Sequence, residues 1–179
     1  QITGTMDSRV SAVDGHSYAI GFEMRLPNAW NGRFFYQANG GTDGSVVTAT
    51  GPLGANATDS ALNEGFAVIS SDAGHTAAQN ASFGIDPQAR LDYGYQAVAK
   101  LTPMAKSVIQ TADGKAPDRS YFAGCSNGGR HTMVGAARYA DQYDGFLDGD
   151  PGFNLPKAAT AKFSVRSDVF QSSSIAPEE

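Results

Sequence analysis

The sequence predicts an α/β fold with a mostly parallel sheet, and three observations carry that prediction. Apolar runs of strand length alternate with segments of helical periodicity. One run, Phe66-Ala67-Val68-Ile69-Ser70, is almost continuously apolar, the pattern of a strand covered on both faces. A third feature is the succession of strand, glycine-rich turn and helix between Arg119 and Tyr139. At 179 residues the chain has the length of about one domain. Its 41% hydrophobic and 10% aromatic content supports a packed core. Twenty-one glycines and eight prolines exceed the average share of roughly 12% and imply many turns.

Taken in order, Gln1-Ile2-Thr3-Gly4 reads as the middle of a first strand. From His16 to Pro27, Tyr18, Ile20, Phe22, Met24 and Leu26 fall on alternate positions, so a strand with one buried face is expected. Asn31-Gly32 marks a turn into the apolar run Arg33 to Gln37, and a hairpin or short loop is expected between the two strands. Asn39 to Gly44 holds three glycines in five positions, which opens backbone conformations closed to other residues. From Asp92 to about Thr111 the apolar residues recur every three or four positions, a helix with a kink or break at Pro103. Arg119 to Gly124 is a short strand, Gly128 to Tyr139 a helix, and Gly145 to Gly149 a strand ending at Asp150-Pro151-Gly152. The Ser-rich stretch from Lys157 to Glu179 has no clear period.

Composition narrows the partners. A net charge of −5 without a basic run argues against nucleic acid. No stretch approaches the roughly 20 apolar residues that span a bilayer. The single cysteine, Cys125, excludes an internal disulfide and a multi-cysteine metal site. Asp43, Asp59, Asp72, Asp86 and Asp92 lack calcium-loop spacing and read as solvated loop positions. Two glycosylation-type triplets begin at Asn56 and Asn80, a pattern common by chance.

Gly124-Cys125-Ser126-Asn127-Gly128 fits G-x-S-x-G in the strand-to-helix setting that gives the pattern meaning. Glycines two before and two after the serine relieve crowding at a tight turn that lifts Oγ above the sheet. Ser126 is therefore the candidate nucleophile. The backbone N–H of Asn127, at the helix start, would face a developing oxyanion. The second donor in such folds comes from a loop after an earlier strand, where Gly40 and Gly41 lie. Cys125 is set aside as nucleophile because the turn presents its central residue.

A serine nucleophile needs a base and an orienting acid, and in α/β-hydrolases both follow the serine. Only His131 does. Five residues along the helix is about 500° of rotation, or 140° off the serine direction at ~3.6 residues per turn, so a packing or surface role is expected instead. His75 follows a strand end and reads first as a loop histidine bonded to backbone. Asp148 and Asp150 close a strand and read as turn residues. Tyr93, Tyr95, Phe34, Phe35 and Phe66 read as core.

Asn39 to Gly44, Ser71-Asp72-Ala73-Gly74-His75, Ala81-Ser82-Phe83-Gly84, Asp92-Tyr93-Gly94-Tyr95, Gly124 to Arg130 and Tyr143 to Pro156 together resemble the tannase and feruloyl esterase family. The resemblance covers about Ile2 to Pro156. It implies an α/β-hydrolase fold and hydrolysis of aromatic carboxylic acid esters through a serine acyl-enzyme. It implies that residues 1–156 are the N-terminal part of the hydrolase domain and that 157–179 begin a lid insertion or tail. In the family the cysteine before the nucleophile pairs with a cysteine beside the catalytic histidine, which requires an oxidising compartment and a secreted or periplasmic location. No partner cysteine is present here, and Cys125 by itself reads as a buried free thiol. The family's acid, histidine and lid, with its structural calcium, all fall beyond the region corresponding to Pro156. The expected chain is thus a piece of a larger enzyme without a cofactor of its own. A small aromatic ester would be its substrate, and the rest of the polypeptide or a second chain would supply Asp and His. The alternative is a non-catalytic binding module that keeps the cleft.

Overall fold

The computed structural model describes residues 1–53, 59–155 and 157. The expected lid or tail segment, apart from Lys157, and the triplet at Asn56 lie outside the described residues. Six strands form one sheet: β1 (Ile2–Val10), β2 (Ser17–Arg25), β3 (Arg33–Ala38), β4 (Ala67–Ser71), β5 (Arg119–Cys125) and β6 (Gly145–Gly149). Their order is β1-β2-β4-β3-β5-β6. Pairs β4/β3, β3/β5 and β5/β6 are parallel, whereas β1/β2 and β2/β4 are antiparallel.

The expected short loop joins β2 to β3, but the two do not pair as a hairpin, because β4 lies between them. The reason is burial. All five residues of β4 are buried, so it needs a hydrogen-bonded partner on each edge and cover on each face. Along β2, Tyr18, Ile20 and Met24 are buried as the alternation requires, and Phe22 and Leu26 pack partly buried against the same core.

The helical stretch after β4 starts earlier than expected. Asp86 caps α1 (Pro87–Leu91) by accepting from Ala89 N at 2.6 Å, and Pro87 occupies the first turn, where its missing N–H costs nothing. A wide π-type turn over Asp92–Gln96 leads into α2 (Ala97–Asp113), which ends at Gly114 in the left-handed conformation. Pro103 does not break α2. The fully buried Leu101, Ala105 and Ile109 anchor the helix on both sides of it, and the Thr102 hydroxyl donates to Val98 O at 2.7 Å.

Helices α2 and α3 (Asn127–Arg138) cover the same face of the sheet. There Phe34, Tyr36, Ile69 and Phe122 meet Val98, Leu101, Ala105 and Ile109. A Cβ at Gly135 of α3 would stand 2.5 Å from the Phe122 ring, so the small residue lets the helix settle onto β5. The opposite face carries a smaller cluster of Phe35, Val68 and Ala123, covered by Ala49 and Ala61 from the β3–β4 connection.

Asp86 joins the two ends of this layout. Both its oxygens receive the Arg9 guanidinium of β1 while one also caps α1. The guanidinium holds the carboxyl well below its ordinary value of 3.8. A lowered pKa stabilises the fold above the ordinary value, and that stability drains away as pH falls below it. Urea midpoints recorded from pH 5 to pH 2 are expected to fall less steeply in Asp86→Asn than in the parent chain.

Candidate active site

Ser126 stands between β5 and α3 at φ 59° and ψ −118°, a left-handed conformation that costs a non-glycine residue about 1–3 kcal/mol. Its backbone is held on every side. The N–H donates to Gly149 O at 2.9 Å, and the carbonyl accepts from Arg130 N at 3.0 Å and Gly152 N at 3.1 Å. The residue as a whole is exposed, so the constrained turn presents its side chain to solvent. Gly124 and Gly128 make this approach possible. A Cβ on Gly124 would lie 2.6 Å from Gly128 C, and one on Gly128 would lie 2.5 Å from Ala38 O.

The glycine loop after β3 lies against this turn. A Cβ on Gly40 would stand 3.9 Å from Cys125 O, and Gly41, at φ +65°, has open space around it. Among the described residues, the N–H groups of Gly40, Gly41 and Asn127 donate to no protein acceptor. The N–H of Asn127 also opens α3, where the helix dipole favours negative charge. The arrangement therefore offers unused donors from two segments beside one exposed hydroxyl, which is the requirement for stabilising an oxyanion. A cleft of about 630 Å³ opens next to them, lined by Gly40, Val47, Leu53, Cys125, Leu147 and Gly149 among others.

Side chains bind the loop to the helix. Asn127 is buried, and its Nδ2 donates to Asp43 Oδ2 at 2.7 Å and Asn39 O at 3.3 Å. Its Oδ1 accepts from Tyr93 OH at 3.0 Å and Arg130 Nε at 2.8 Å. Arg130 lies over the Tyr93 ring at 4.3 Å. His131 Nε2 sits 2.7 Å from Asp43 Oδ2. Deeper in the sheet, Asn39 Nδ2 donates to Ser70 Oγ and Ser71 O, and Gln37 links Asn39 to Gly51 N.

Several residues differ from their sequence reading. Of the five carboxylates read as solvated, Asp59 is exposed, but the side chains of Asp43, Asp72, Asp86 and Asp92 are buried against donors. Asp72 accepts from Gly21 N and Gly74 N, both at 2.9 Å, and Asp92 from Lys100 Nζ at 2.9 Å. Cys125 is free and exposed rather than buried, because alternation along β5 turns its side chain away from α3 and toward the cleft. His75 is buried and its Nε2 lies 3.0 Å from Asn80 Oδ1, with its ring stacked on Phe83 at 3.8 Å. Burial holds its pKa below the ordinary value. His131 packs inside, as expected for a residue off the serine direction. Neither histidine presents a free ring nitrogen to solvent: both Nδ1 atoms are buried without a partner.

The link from Asp43 to Asn127 and His131, and the part played by Tyr93 and Arg130, had not emerged from the sequence. One signal was available, since Asn127 and His131 are four apart and share a helix face. Among the described residues, no group of three or more His, Cys, Asp or Glu is placed to hold a metal. No helix among the described residues is long and apolar enough to cross a membrane.

A mostly parallel sheet with a serine on a strained strand-to-helix turn defines an α/β-hydrolase. A sequence model described as tannase and feruloyl esterase matches residues 2–178, and the chain belongs to that family. It is 43% identical over 166 residues to the mono(2-hydroxyethyl) terephthalate hydrolase of Piscinibacter sakaiensis, covering 88% of this chain and 27% of that protein. The crystal structure of feruloyl esterase B from Aspergillus oryzae superposes with a TM-score of 0.68 at 28% identity, covering 77% of this chain and 26% of that one. Tannin acyl hydrolase from Aspergillus niger shares the fold, with a TM-score of 0.58 at 20% identity over 85% of this chain and 32% of that one. The chain spans about a quarter of the length of the curated relatives it matches.

Two outcomes follow from the packing. Gly128→Ala sets a methyl against backbone that cannot swing aside, and calorimetry is expected to show a loss of about 1–3 kcal/mol. Burial pushes the Asp72 carboxyl up to about 6. A raised pKa favours the protonated fold at low pH, so this contribution disappears as pH climbs from about 4 through 6, on the order of 3 kcal/mol. Urea titrations of Asp72→Asn should lack that decline.

Proposed function

We propose that this chain carries the nucleophile and oxyanion donors of a serine carboxylic ester hydrolase acting on aromatic acid esters of the feruloyl, galloyl or terephthaloyl type. The observation that carries the reading is the exposed Ser126 on its positive-φ turn, flanked by the unused N–H groups of Asn127 and of Gly40 or Gly41. Ser126 Oγ attacks the ester carbonyl as a base removes its proton. The carbonyl oxygen gains the negative charge and is met by the two loops' amides, each donor being worth about 3–4 kcal/mol. The alcohol leaves with a proton, and water then releases the aromatic acid by the same route in reverse.

The base and acid come from outside this chain, in the rest of the polypeptide or a second chain. The burial of both His75 and His131 supports that assignment. In this reading Cys125, free and exposed on the cleft, pairs with a cysteine from the same source, which calls for an oxidising compartment and hence a secreted or periplasmic enzyme.

The test uses the polypeptide that contains this segment together with its base. It is expected to hydrolyse methyl ferulate, methyl gallate or a terephthalate monoester, and Ser126→Ala is expected to lower kcat by about 10⁴-fold or more. A fluorophosphonate should add its mass to Ser126. Turnover that survives the substitution removes Ser126 from the role, and aromatic acid binding without turnover or labelling favours a binding module.

A further inference from the structure

We propose that Asp43 is a positioning residue, a carboxylate staple that fixes the glycine loop to α3 and so sets the spacing between the two oxyanion donors. This inference rests on the ester hydrolase reading above and deepens it. The Asp43 side chain is only 2% exposed, and its Oδ2 holds two side chains of α3, accepting from Asn127 Nδ2 at 2.7 Å and lying 2.7 Å from His131 Nε2, which Arg130 also approaches at 3.1 Å. The two residues sit four apart, about one helical turn, so a single oxygen grips one face of the helix. The same residue shapes the loop. Its N–H donates to Gly40 O at 3.3 Å, and its backbone adopts φ 57°, a conformation that Asp and Asn enter more readily than other side chains.

The loop's other ties reach different elements. Gly44 N donates to Asp72 O at 3.1 Å, and Thr42 Oγ1 to Asn80 Oδ1 at 2.9 Å, both toward the β4 side of the sheet. Asp43, with the longer Asn127 to Asn39 bond, is what joins the loop to the helix that carries the other donor. Without the carboxylate the loop hangs on its two β4-side ties, so the Gly44 N–H bond to Asp72 O opens more often and Gly40 and Gly41 lose their register against Asn127. Burying a carboxylate is unfavourable unless it is paired and hydrogen-bonded, and the pairing here lies across the two donor segments.

Two variants separate the staple from the backbone. Asp43→Gly keeps access to positive φ and removes the oxygen; Asp43→Asn keeps positive φ and one acceptor. In this 179-residue chain, amide exchange at Gly44 and the side-chain amide signal of Asn127 are followed by NMR. Exchange at Gly44 is expected to rise about tenfold in Asp43→Gly and less in Asp43→Asn, with β4 amides unchanged. In the catalytically complete polypeptide, kcat is expected to fall about 100-fold in Asp43→Gly and about tenfold in Asp43→Asn, with KM within threefold of the parent. Affinity for an arylboronic acid, which adds to serine as a tetrahedral anion, should fall in step with kcat, while affinity for the aromatic carboxylic acid holds. Unchanged Gly44 exchange overturns the staple whatever the kinetics, and a loss confined to KM overturns its role in positioning. If Asp43→Gly does not fold, Asp43→Asn decides by the same split. Activity surviving Ser126→Ala instead refutes the hydrolase reading, and the exchange result still decides whether the loop is stapled.

Discussion

The turn at Ser126 is the constraint around which this structure is arranged. A non-glycine residue is held at φ 59° because its backbone N–H and carbonyl are both bonded, to β6 and the segment after it and to the second turn of α3. That arrangement requires β3, β5, β6 and the start of α3 to crowd together more closely than side chains allow, and glycines occupy each point of contact: Gly124 against Gly128, Gly128 against Ala38, and Gly129 against Gly149 O. The packing of Phe122 beneath Gly135 then fixes the tilt of the helix. Strain at the serine is maintained by many unstrained contacts around it.

A second theme is the polar interior at the C-terminal end of the parallel strands. Gln37, Asn39, Ser70, Asp72 and Asn127 are all buried, where an unpaired polar group is costly. Their bonds tie the loops to one another and to the strand ends, as from Asn39 to Ser70 and Ser71 of β4 and from Gly21 of β2 to Asp72, so the requirement that buried polar atoms find partners becomes the means by which the loops are held. The wide turn at Asp92–Gln96 serves the same end, since Tyr93 on it reaches Asn127. The result is a rigid floor beneath an open surface.

Much of the architecture was legible in the chain. The alternation in β2, the apolar run of β4 and the succession of β5, turn and α3 each follow from local periodicity, which needs no knowledge of neighbours. Boundaries moved where capping overrode periodicity, as when Asp86 and Pro87 started a helical stretch ahead of the apolar pattern. Pro103 was read by its local cost, but tertiary burial of Leu101 and Ala105 outweighed it. The carboxylates were misread for the opposite reason. Asp43 and Asp72 look like loop residues until donors arrive from distant segments, the Asn127 side chain and the Gly21 N–H, whereas Asp92 is covered by Lys100 two turns along its own helical stretch.

By itself the sequence determined the class of fold, the family and the serine at the turn, because these depend on residue type at short spacing: glycines that permit a tight bend, and strand and helix periods on either side. Only the tertiary structure decided which strands are neighbours, which carboxylates are buried and which segment faces Asn127. Those outcomes depend on pairing between distant positions, 88 residues apart from Asp43 to His131, and no local pattern encodes the partner at the far end of such a contact.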